Sequence, residues 1–255
     1  MRIYFFSCGS LTSKKNVFYD DAPDEDFEVP VPFYLIIHND NYILFDTGNH
    51  KNDIEGHYPP LVTGSSKPHF TKDEWAPNAM QSIGVEPEKI NYIITSHLHH
   101  DHCGALTEFP NAQIIVQKKE YEFAHAPTDN MKRAYYECEF PADLDWKFID
   151  GENEPVFDLF NDGRLLIYFT PGHTPGQQSL LVKSDNNGSL MFTSDACYLQ
   201  DSIKKDVMPG LIYNKDAYIK NIALFKQLSK NGVKIIVGHD PQAWAAYKHA
   251  PLYYE

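Results

Sequence analysis

Four histidines and an aspartate lie within six consecutive residues, His97 to His102, in the stretch TSHLHHDHCG. This stretch directly follows INYII (90–94), an apolar and β-branched run that predicts a buried strand. Imidazole and carboxylate groups are common ligands of zinc and related metals. The sequence therefore predicts a metal site at the end of this strand, completed by ligands from elsewhere in the chain.

Residues that can bind or support a metal follow four further predicted strands. Asp46 ends YILF, His173 follows RLLIYFT through PGH, and Asp195 ends SLMFTS. His239 comes directly after VKIIVG. Because α/β proteins usually build their sites from groups at one rim of a sheet, we expect these side chains to converge.

The residue types suit two metal ions, with Asp195 bridging them through its two carboxylate oxygens. The first predicted ligand set comprises His97, His99 and His173. The second comprises Asp101, His102 and His239. Nitrogen and carboxylate ligands without thiolate favour zinc, with iron, manganese or cobalt as alternatives. Two ions about 3.5–4 Å apart would share a hydroxide whose pKa is lowered toward ~7.

Each of these residues also has a simpler explanation. A lone histidine at a strand end is more often a hydrogen-bonded or surface residue than a ligand, and an aspartate in DTG usually forms a turn. A histidine-rich hexamer can bind metal adventitiously. The ordered series TSHLHHDHCG, TPGHTPGQQSL, SDA and GHD, each at a strand end, favours a built site over coincidence.

Composition narrows the class of protein. The 255 residues carry a net charge of −13 with 22 Lys and Arg, which argues against nucleic acid as the main partner. The four cysteines form no CxxC pair, so a thiolate zinc knuckle is not indicated. No stretch approaches the ~20 apolar residues of a membrane span, and the first ten residues are more typical of a strand than of a secretory signal. We therefore expect a cytoplasmic protein that does not bind membranes.

Strands and helices alternate along a chain that we expect to form one domain, residues 1–255. VPFYLIIH (31–38) and YILFD (42–46) predict a hairpin, a capping box at Thr71 predicts a helix to Gly84, and 215–232 predicts a second helix. Further predicted strands are 112–117, 164–170, 178–183, 189–194 and 233–238. The early hairpin favours an α/β fold with two mixed β-sheets flanked by helices over a parallel doubly wound sheet.

The order H-x-H-x-D-H, then His, Asp and His, resembles the metallo-β-lactamase superfamily over nearly the whole chain. That resemblance implies a four-layer αββα sandwich with two metals at one edge. Within the superfamily, SHLHHDHCG, IIVQKKEYEFA, TPGHTPGQQSLLV, SDACY and GHD are similar to the N-acyl homoserine lactonases, the quorum-quenching lactonases. The intervals of 22 residues from His173 to Asp195 and 44 from Asp195 to His239 fit that family.

The resemblance implies an enzyme that opens a lactone ring by attack of a metal-bridging hydroxide. Tyr198, three residues after the bridging Asp195, would hold the developing oxyanion together with the first metal. Asp101 would donate a proton to the leaving alkoxide, and Asp46 would orient a ligand imidazole. The implied partner is a small-molecule lactone, with a homodimer as one option for assembly.

The pocket walls are the least defined part of this prediction. His100 stands where the family pattern leads us to expect an aromatic or aliphatic residue, and segments 50–67 and 135–146 have no match. We expect those two segments to form the pocket walls. Candidate contacts for an acyl chain are Tyr135, Tyr136, Phe140, Trp146, Met208 and Leu211.

Several related activities remain as alternatives. A pyridoxolactonase-like enzyme would share the lactonase core, whereas a glyoxalase II-like thioesterase would need a helical region after the last ligand, and only 16 residues follow His239. In true metallo-β-lactamases a cysteine ligand replaces the bridging aspartate; Cys197, two residues after Asp195 on an extended backbone, could point to the same side. A metal-binding sensor module would need neither Asp101 nor Tyr198.

Overall fold

The computed structural model describes residues 1–54 and 66–255. Its strands are β1 (Arg2–Lys14), β2 (Asp26–His38), β3 (Asn41–Phe45), β4 (Ser66–His69), β5 (Tyr92–Ile94), β6 (Gln113–Gln117), β7 (Trp146–Ile149), β8 (Val156–Asp158), β9 (Leu165–Phe169), β10 (Gln178–Lys183), β11 (Ser189–Ser194), β12 (Lys234–Val237) and β13 (Tyr253–Tyr254). Its α-helices are α1 (Lys15–Phe18), α2 (Ala76–Gln81), α3 (His100–Cys103), α4 (Lys118–His125), α5 (Gln200–Lys205), α6 (Lys215–Lys230) and α7 (Pro241–Ala245). Short 3-10 helices span Lys51–Asp53, Pro87–Lys89, Leu106–Glu108, Lys132–Ala134 and Glu137–Glu139.

Two mixed sheets form the centre of the fold. The larger sheet has the order β13-β1-β2-β3-β5-β6-β7, with β4 also paired to β1, and the smaller has the order β12-β11-β10-β9-β8. In the larger sheet β3, β5 and β6 run parallel, while β1, β2 and β3 are antiparallel. The fold confirms the predicted four-layer αββα sandwich of two mixed sheets flanked by helices.

Alternation along each strand builds the layers, because successive side chains face opposite sides of a sheet. Ile43 and Phe45 pack into the core between the two sheets, whereas Leu44 packs into the outer core beneath the helices of the larger sheet. In the smaller sheet Leu180 and Val182 face the central core, and Leu181 faces the outer core with α6. Strands β3 and β10 are therefore buried on both faces, which explains their nearly continuous apolar sequences.

The topology brings five strand ends to one region. Strands β3 and β5 are parallel neighbours in the larger sheet. In the smaller sheet β9 and β11 both pair antiparallel with β10, and β12 is parallel to β11, so these three strands point the same way. The residues that follow β3, β5, β9, β11 and β12 are those singled out by their chemistry in the sequence.

Two predicted elements have clear outcomes. The predicted hairpin is present, with Asn39 and Asp40 at φ values of 48° and 62° in the turn between β2 and β3. The helix predicted from Thr71 is wrong at its start: α2 begins at Ala76, with a proline in its first turn. The Thr71 backbone N–H and hydroxyl do donate to Glu74 Oε2, at 2.7 and 2.9 Å, but they close a turn and not a helix. In the two described stretches, the helices are too short or too polar to serve as transmembrane spans.

Candidate metal centre

The histidines and aspartates from four of the five strand ends, those of β5, β9, β11 and β12, converge in two adjacent buried clusters. The first cluster comprises His97, His99, His173 and Asp195. The second comprises Asp101, His102 and His239. Within each cluster every residue offers a nitrogen or carboxylate oxygen within 4.8 Å of the others, a spread that a single metal ion can fill. Together the two clusters make a centre for two divalent ions.

The carboxylate of Asp195 lies between the clusters. Its Oδ2 is 3.3 Å from His173 Nε2 and 3.8 Å from His97 Nε2. Its Oδ1 is 3.0 Å from His239 Nε2 and 3.4 Å from His102 Nε2. One oxygen therefore faces each cluster, which is the arrangement that a bridging carboxylate requires.

The carboxylate of Asp46 orients imidazoles of both clusters, directly or through Ser96, from the side away from Asp195. His102 Nδ1–H donates to Asp46 Oδ2 at 2.9 Å, which leaves Nε2 facing Asp195. The Ser96 hydroxyl donates to the same oxygen at 2.9 Å and lies 2.9 Å from His97 Nδ1, so it accepts from that imidazole. Asp46 thus fixes the ring of His102 directly and that of His97 through Ser96, a support typical of metal-binding histidines.

Backbone strain marks the same place. Asp46 at the end of β3 and Ser194 at the end of β11 have φ values of 61° and 47°, in the left-handed region that non-glycine residues rarely adopt. The Ser194 hydroxyl donates to Ser96 Oγ at 2.8 Å. Such strained residues cluster at functional sites, where the surrounding contacts hold them in place. Ser96 and Ser194 were not predicted from the sequence, where their only signal is a hydroxyl next to a predicted ligand at a strand end.

The imidazoles of His239 and His173 are oriented by carbonyl and hydroxyl groups. His239 Nδ1–H donates to the Pro30 carbonyl at 2.8 Å. His173 Nδ1 lies 2.9 Å from the Tyr198 hydroxyl and 3.3 Å from the Leu211 carbonyl. In both residues Nδ1 is engaged by the protein, so Nε2 is the nitrogen that faces the cluster.

The donor set fits transition metals of the zinc type. His97 Nε2 is buried and has no hydrogen-bond partner among the described residues, although its Nδ1 is engaged. Burial lowers the pKa of His97, His99 and His173, so these imidazoles are neutral, the form that binds metal. Burial raises the pKa of Asp195, but the nearby His239, His102 and His173 hold that pKa well below its usual range.

A cavity adjoins the two clusters. His99, Asp101, Asp195, Tyr198 and His239 line one side of it, and Leu211 lies on its wall. Asp101 Oδ2 is 3.6 Å from His102 Nε2, so this carboxylate faces both the second cluster and the cavity. The cavity therefore brings the predicted catalytic residues, Asp101 and Tyr198, next to the predicted metal ligands.

The residues proposed as acyl-chain contacts are dispersed. The ring of Tyr135 packs against His99 with centroids 4.6 Å apart, whereas Phe140 and Trp146 pack in the outer core or at its margin. Met208 packs against the other outer core, near α6, and the ring of Tyr136 is tilted by 51° against that of His100, with centroids 5.8 Å apart. Residues 55–65 of the predicted pocket wall 50–67 lie outside the described residues.

Two further sequence expectations can be compared with the structure. His100 lines the cavity as a buried residue, and its Nδ1 has no hydrogen-bond partner in the described part of the chain. The expectation that Cys197 could point toward the metals is wrong. Residues 195–197 form a turn and not an extended strand, and Cys197 packs in the outer core with its Sγ 3.4 Å from the Leu199 carbonyl.

Comparison with known proteins agrees with the fold. Residues 27–239 match the metallo-beta-lactamase superfamily. The chain therefore belongs to the metallo-beta-lactamase superfamily. Within it, the N-acyl homoserine lactonase AttM of Azorhizobium caulinodans is 34% identical over 100% of this chain and 99% of the relative. The N-acyl homoserine lactonase AiiA of Bacillus thuringiensis subsp. kurstaki is 33% identical over 99% of this chain and 98% of the relative.

Solved structures give the same result. An N-acyl homoserine lactone hydrolase with the product N-hexanoyl-L-homoserine bound at its catalytic metal center superposes with a TM-score of 0.89. That likeness covers 99% of this chain and 98% of the other, at 28% sequence identity. The predicted resemblance to the N-acyl homoserine lactonases is confirmed in both sequence and structure.

Proposed function

We propose that this protein is a metal-dependent hydrolase that opens the lactone ring of N-acyl homoserine lactones, using residues 1–255 as a single domain. The full-length similarity to named lactonases supports the proposal. The observation that carries it is the hydroxyl of Tyr198, which lies in the cavity beside both clusters, 2.9 Å from His173 Nδ1. A site built only to hold or sense metal would not need this phenol.

The seven residues of the two clusters would hold the metals. Two divalent ions bound there would supply Lewis acidity toward the carbonyl oxygen and lower the pKa of a bound water. We favour zinc, because imidazole and carboxylate ligands in closely packed sets suit it and no thiolate takes part. Iron, manganese and cobalt share the same ligand preferences and remain the alternatives.

Tyr198 can donate a hydrogen bond to the substrate carbonyl. When His173 binds metal through Nε2, its Nδ1 carries the proton and donates to Tyr198 Oη. The phenol hydrogen is then free for an oxygen in the cavity. Burial and the neighbouring carboxylate of Asp195 raise the pKa of Tyr198 well above its usual range, so the phenol stays protonated as a donor.

Asp101 can move a proton between the attacking and leaving oxygens. Burial raises its pKa, but His102, His100 and His239 outweigh that effect and hold it below its usual value, so the carboxylate is ionised. Asp101 therefore receives the proton of the attacking hydroxyl and passes it to the alkoxide released as the ring opens. The products are a free carboxylate and an alcohol on one chain, with one acid equivalent released.

A substrate panel tests the proposal. We expect acyl homoserine lactones, or related small lactones, to be hydrolysed far faster than glutathione thioesters, β-lactams or RNA. A pH-stat reads ring opening directly through the released acid, and the other substrates are followed by thiol, ring or fragment assays on the same preparation. Rapid thioester hydrolysis with slow turnover of every lactone would assign the protein to the thioesterases instead.

The variant Tyr198→Phe tests the role of the phenol. We expect it to keep its metals and fold but to lose about 10-fold to 100-fold in kcat/KM, less than the ~10²–10³ of an unaided oxyanion donor, because a metal would polarise the same oxygen. The loss falls on kcat if the bond strengthens in the transition state. Steady-state kinetics on metal-quantified protein measure it, with Tyr213→Phe, an exposed tyrosine, as the control. Unchanged kinetics at full occupancy would remove Tyr198 from the mechanism.

A further inference from the structure

Glu120 is a buried carboxylate close to the metal centre that the proposed mechanism does not use. It lies in the first turn of α4 and is fully buried. An isolated buried carboxylate is costly, so its position calls for compensating donors. Three of its four donors come from the two separate loops that carry ligands of the first cluster, and the fourth is Tyr135.

Each oxygen of Glu120 accepts two hydrogen bonds. Oε1 accepts from the Leu98 backbone N–H at 3.1 Å and from the Tyr135 hydroxyl at 3.0 Å. Oε2 accepts from the Thr174 hydroxyl at 2.6 Å and from the Gly176 backbone N–H at 3.1 Å. The carboxylate is therefore fully surrounded by donors, each from a different residue.

The identity of the donors links Glu120 to the metal ligands. Leu98 stands between His97 and His99, and Thr174 directly follows His173. The same carboxylate thus connects the loop after β5 with the loop after β9, the two loops that supply the three imidazoles of the first cluster.

Close packing strengthens this connection. A Cβ placed on Gly176 would lie 2.3 Å from the Glu120 backbone nitrogen, so the loop after β9 rests directly against the start of α4. Tyr135, which donates to Glu120, also packs its ring on His99 at a centroid distance of 4.6 Å. Glu120 contacts the surroundings of the ligands on several sides without contacting a ligand imidazole itself.

We propose that Glu120 is a positioning residue for the first metal: its carboxylate holds the two ligand loops at the separation at which His97, His99 and His173 bind one ion tightly. A carboxylate is suited to this task because it accepts all four bonds at once. Glutamine has the same shape, but its NH₂ group would face two of the donors, so it cannot accept all four hydrogen bonds. The inference concerns metal affinity and holds whichever substrate the enzyme turns over.

The test compares Glu120→Gln with Glu122→Gln. Glu122 lies on the same helix but is exposed, with a weak ion pair to Lys118 at 3.7 Å, so its substitution makes the same charge change without touching the loops. Metal affinity is measured by competition with a chromophoric chelator, using zinc. Thermal unfolding of the metal-free proteins is measured alongside, and the visible absorption of the cobalt-substituted proteins reports ligand geometry.

We expect Glu120→Gln to weaken binding of one of the two ions by about 10-fold to 100-fold, the range found when partners behind metal ligands are replaced. Its cobalt spectrum should change, whereas Glu122→Gln should match the parent in both respects. If Glu120→Gln bound both ions with the parent's affinities and showed the parent's cobalt spectrum, the proposal would be overturned. This holds even if the metal-free variant unfolds at a lower temperature, because that combination describes a purely structural residue.

A milder variant covers the case in which Glu120→Gln does not fold. Thr174→Val removes one of the four donors and leaves the carboxylate in place. Loss of one hydrogen bond is expected to weaken the same ion by roughly 3-fold to 10-fold. Unchanged affinity in a folded Thr174→Val protein would contradict the proposal on its own.

Discussion

We expect the Asp195→Ala variant to bind one metal ion instead of two and to lose roughly 10³-fold or more of its activity. The reason is geometric: one carboxylate oxygen faces each cluster, at 3.3 Å from His173 Nε2 and 3.0 Å from His239 Nε2. Alanine removes both contacts at once and leaves the two clusters without the carboxylate that lies between them. Metal content by mass spectrometry and kcat/KM on the same preparation measure the effect.

The control for this variant is Asp216→Ala, because Asp216 is an exposed aspartate in the first turn of α6. It makes the same change in net charge far from the clusters and should keep both metals and full activity. If Asp195→Ala also retained two metals and parental activity, Asp195 would not be a bridging ligand, and the proposed dinuclear centre would be contradicted.

The second large effect is expected for Asp101→Asn. The amide keeps an oxygen near the second cluster, where Asp101 Oδ2 lies 3.6 Å from His102 Nε2, but it cannot carry a proton to the leaving alkoxide. Loss of a positioned proton donor typically reduces the rate by about 10²-fold to 10⁴-fold. We expect that loss in kcat for lactones, measured on protein whose metal content has been matched to the parent.

An activated ester separates proton transfer from metal binding in this variant. An aryl ester with a nitrophenol leaving group departs as an anion without protonation. Asp101→Asn should therefore lose far less activity toward that ester than toward a lactone. Equal losses for both substrates would show that Asp101 acts through the metal site and not as a proton donor.

Much of the site geometry could be predicted because the ends of the strands can be recognised in the sequence. His97, His173 and His239 each follow an apolar run bounded by turn residues, and parallel neighbours deliver such residues to one rim. Asp195 was predicted as the bridge because a carboxylate can offer one oxygen to each of two ions. Fold class was equally accessible, since the hairpin before β5 excluded a purely parallel sheet.

The supporting contacts were not accessible, because they join residues that are far apart in the chain. Glu120 accepts from Thr174, and Ser194 donates to Ser96, contacts that no local periodicity encodes. Cys197 was misjudged for a related reason. Its alternation with Asp195 assumed an extended backbone, but the chain turns at 195–197 after the left-handed Ser194, and the thiol is directed into the outer core.

The start of α2 shows that a local sequence pattern can also place the beginning of a helix wrongly. Thr71 and Glu74 make one of the two contacts of a capping box, the Thr71 backbone N–H donating to Glu74 Oε2, yet the helix begins only at Ala76. Proline is favoured in the first turn of a helix and disfavoured in its interior. Pro77 therefore belongs to the first turn, and α2 begins at Ala76, after the start that Thr71 and Glu74 predicted.

The most direct test of the account is the rate of ring opening of N-hexanoyl-L-homoserine lactone as zinc is titrated into metal-free protein. Acid release in a pH-stat gives the rate at each ratio of metal to protein. We expect little hydrolysis without metal and a rate that reaches its plateau at two equivalents of zinc, with chelation reversing the gain. Full hydrolysis in the metal-free protein, or no lactone hydrolysis with two ions bound, would contradict it.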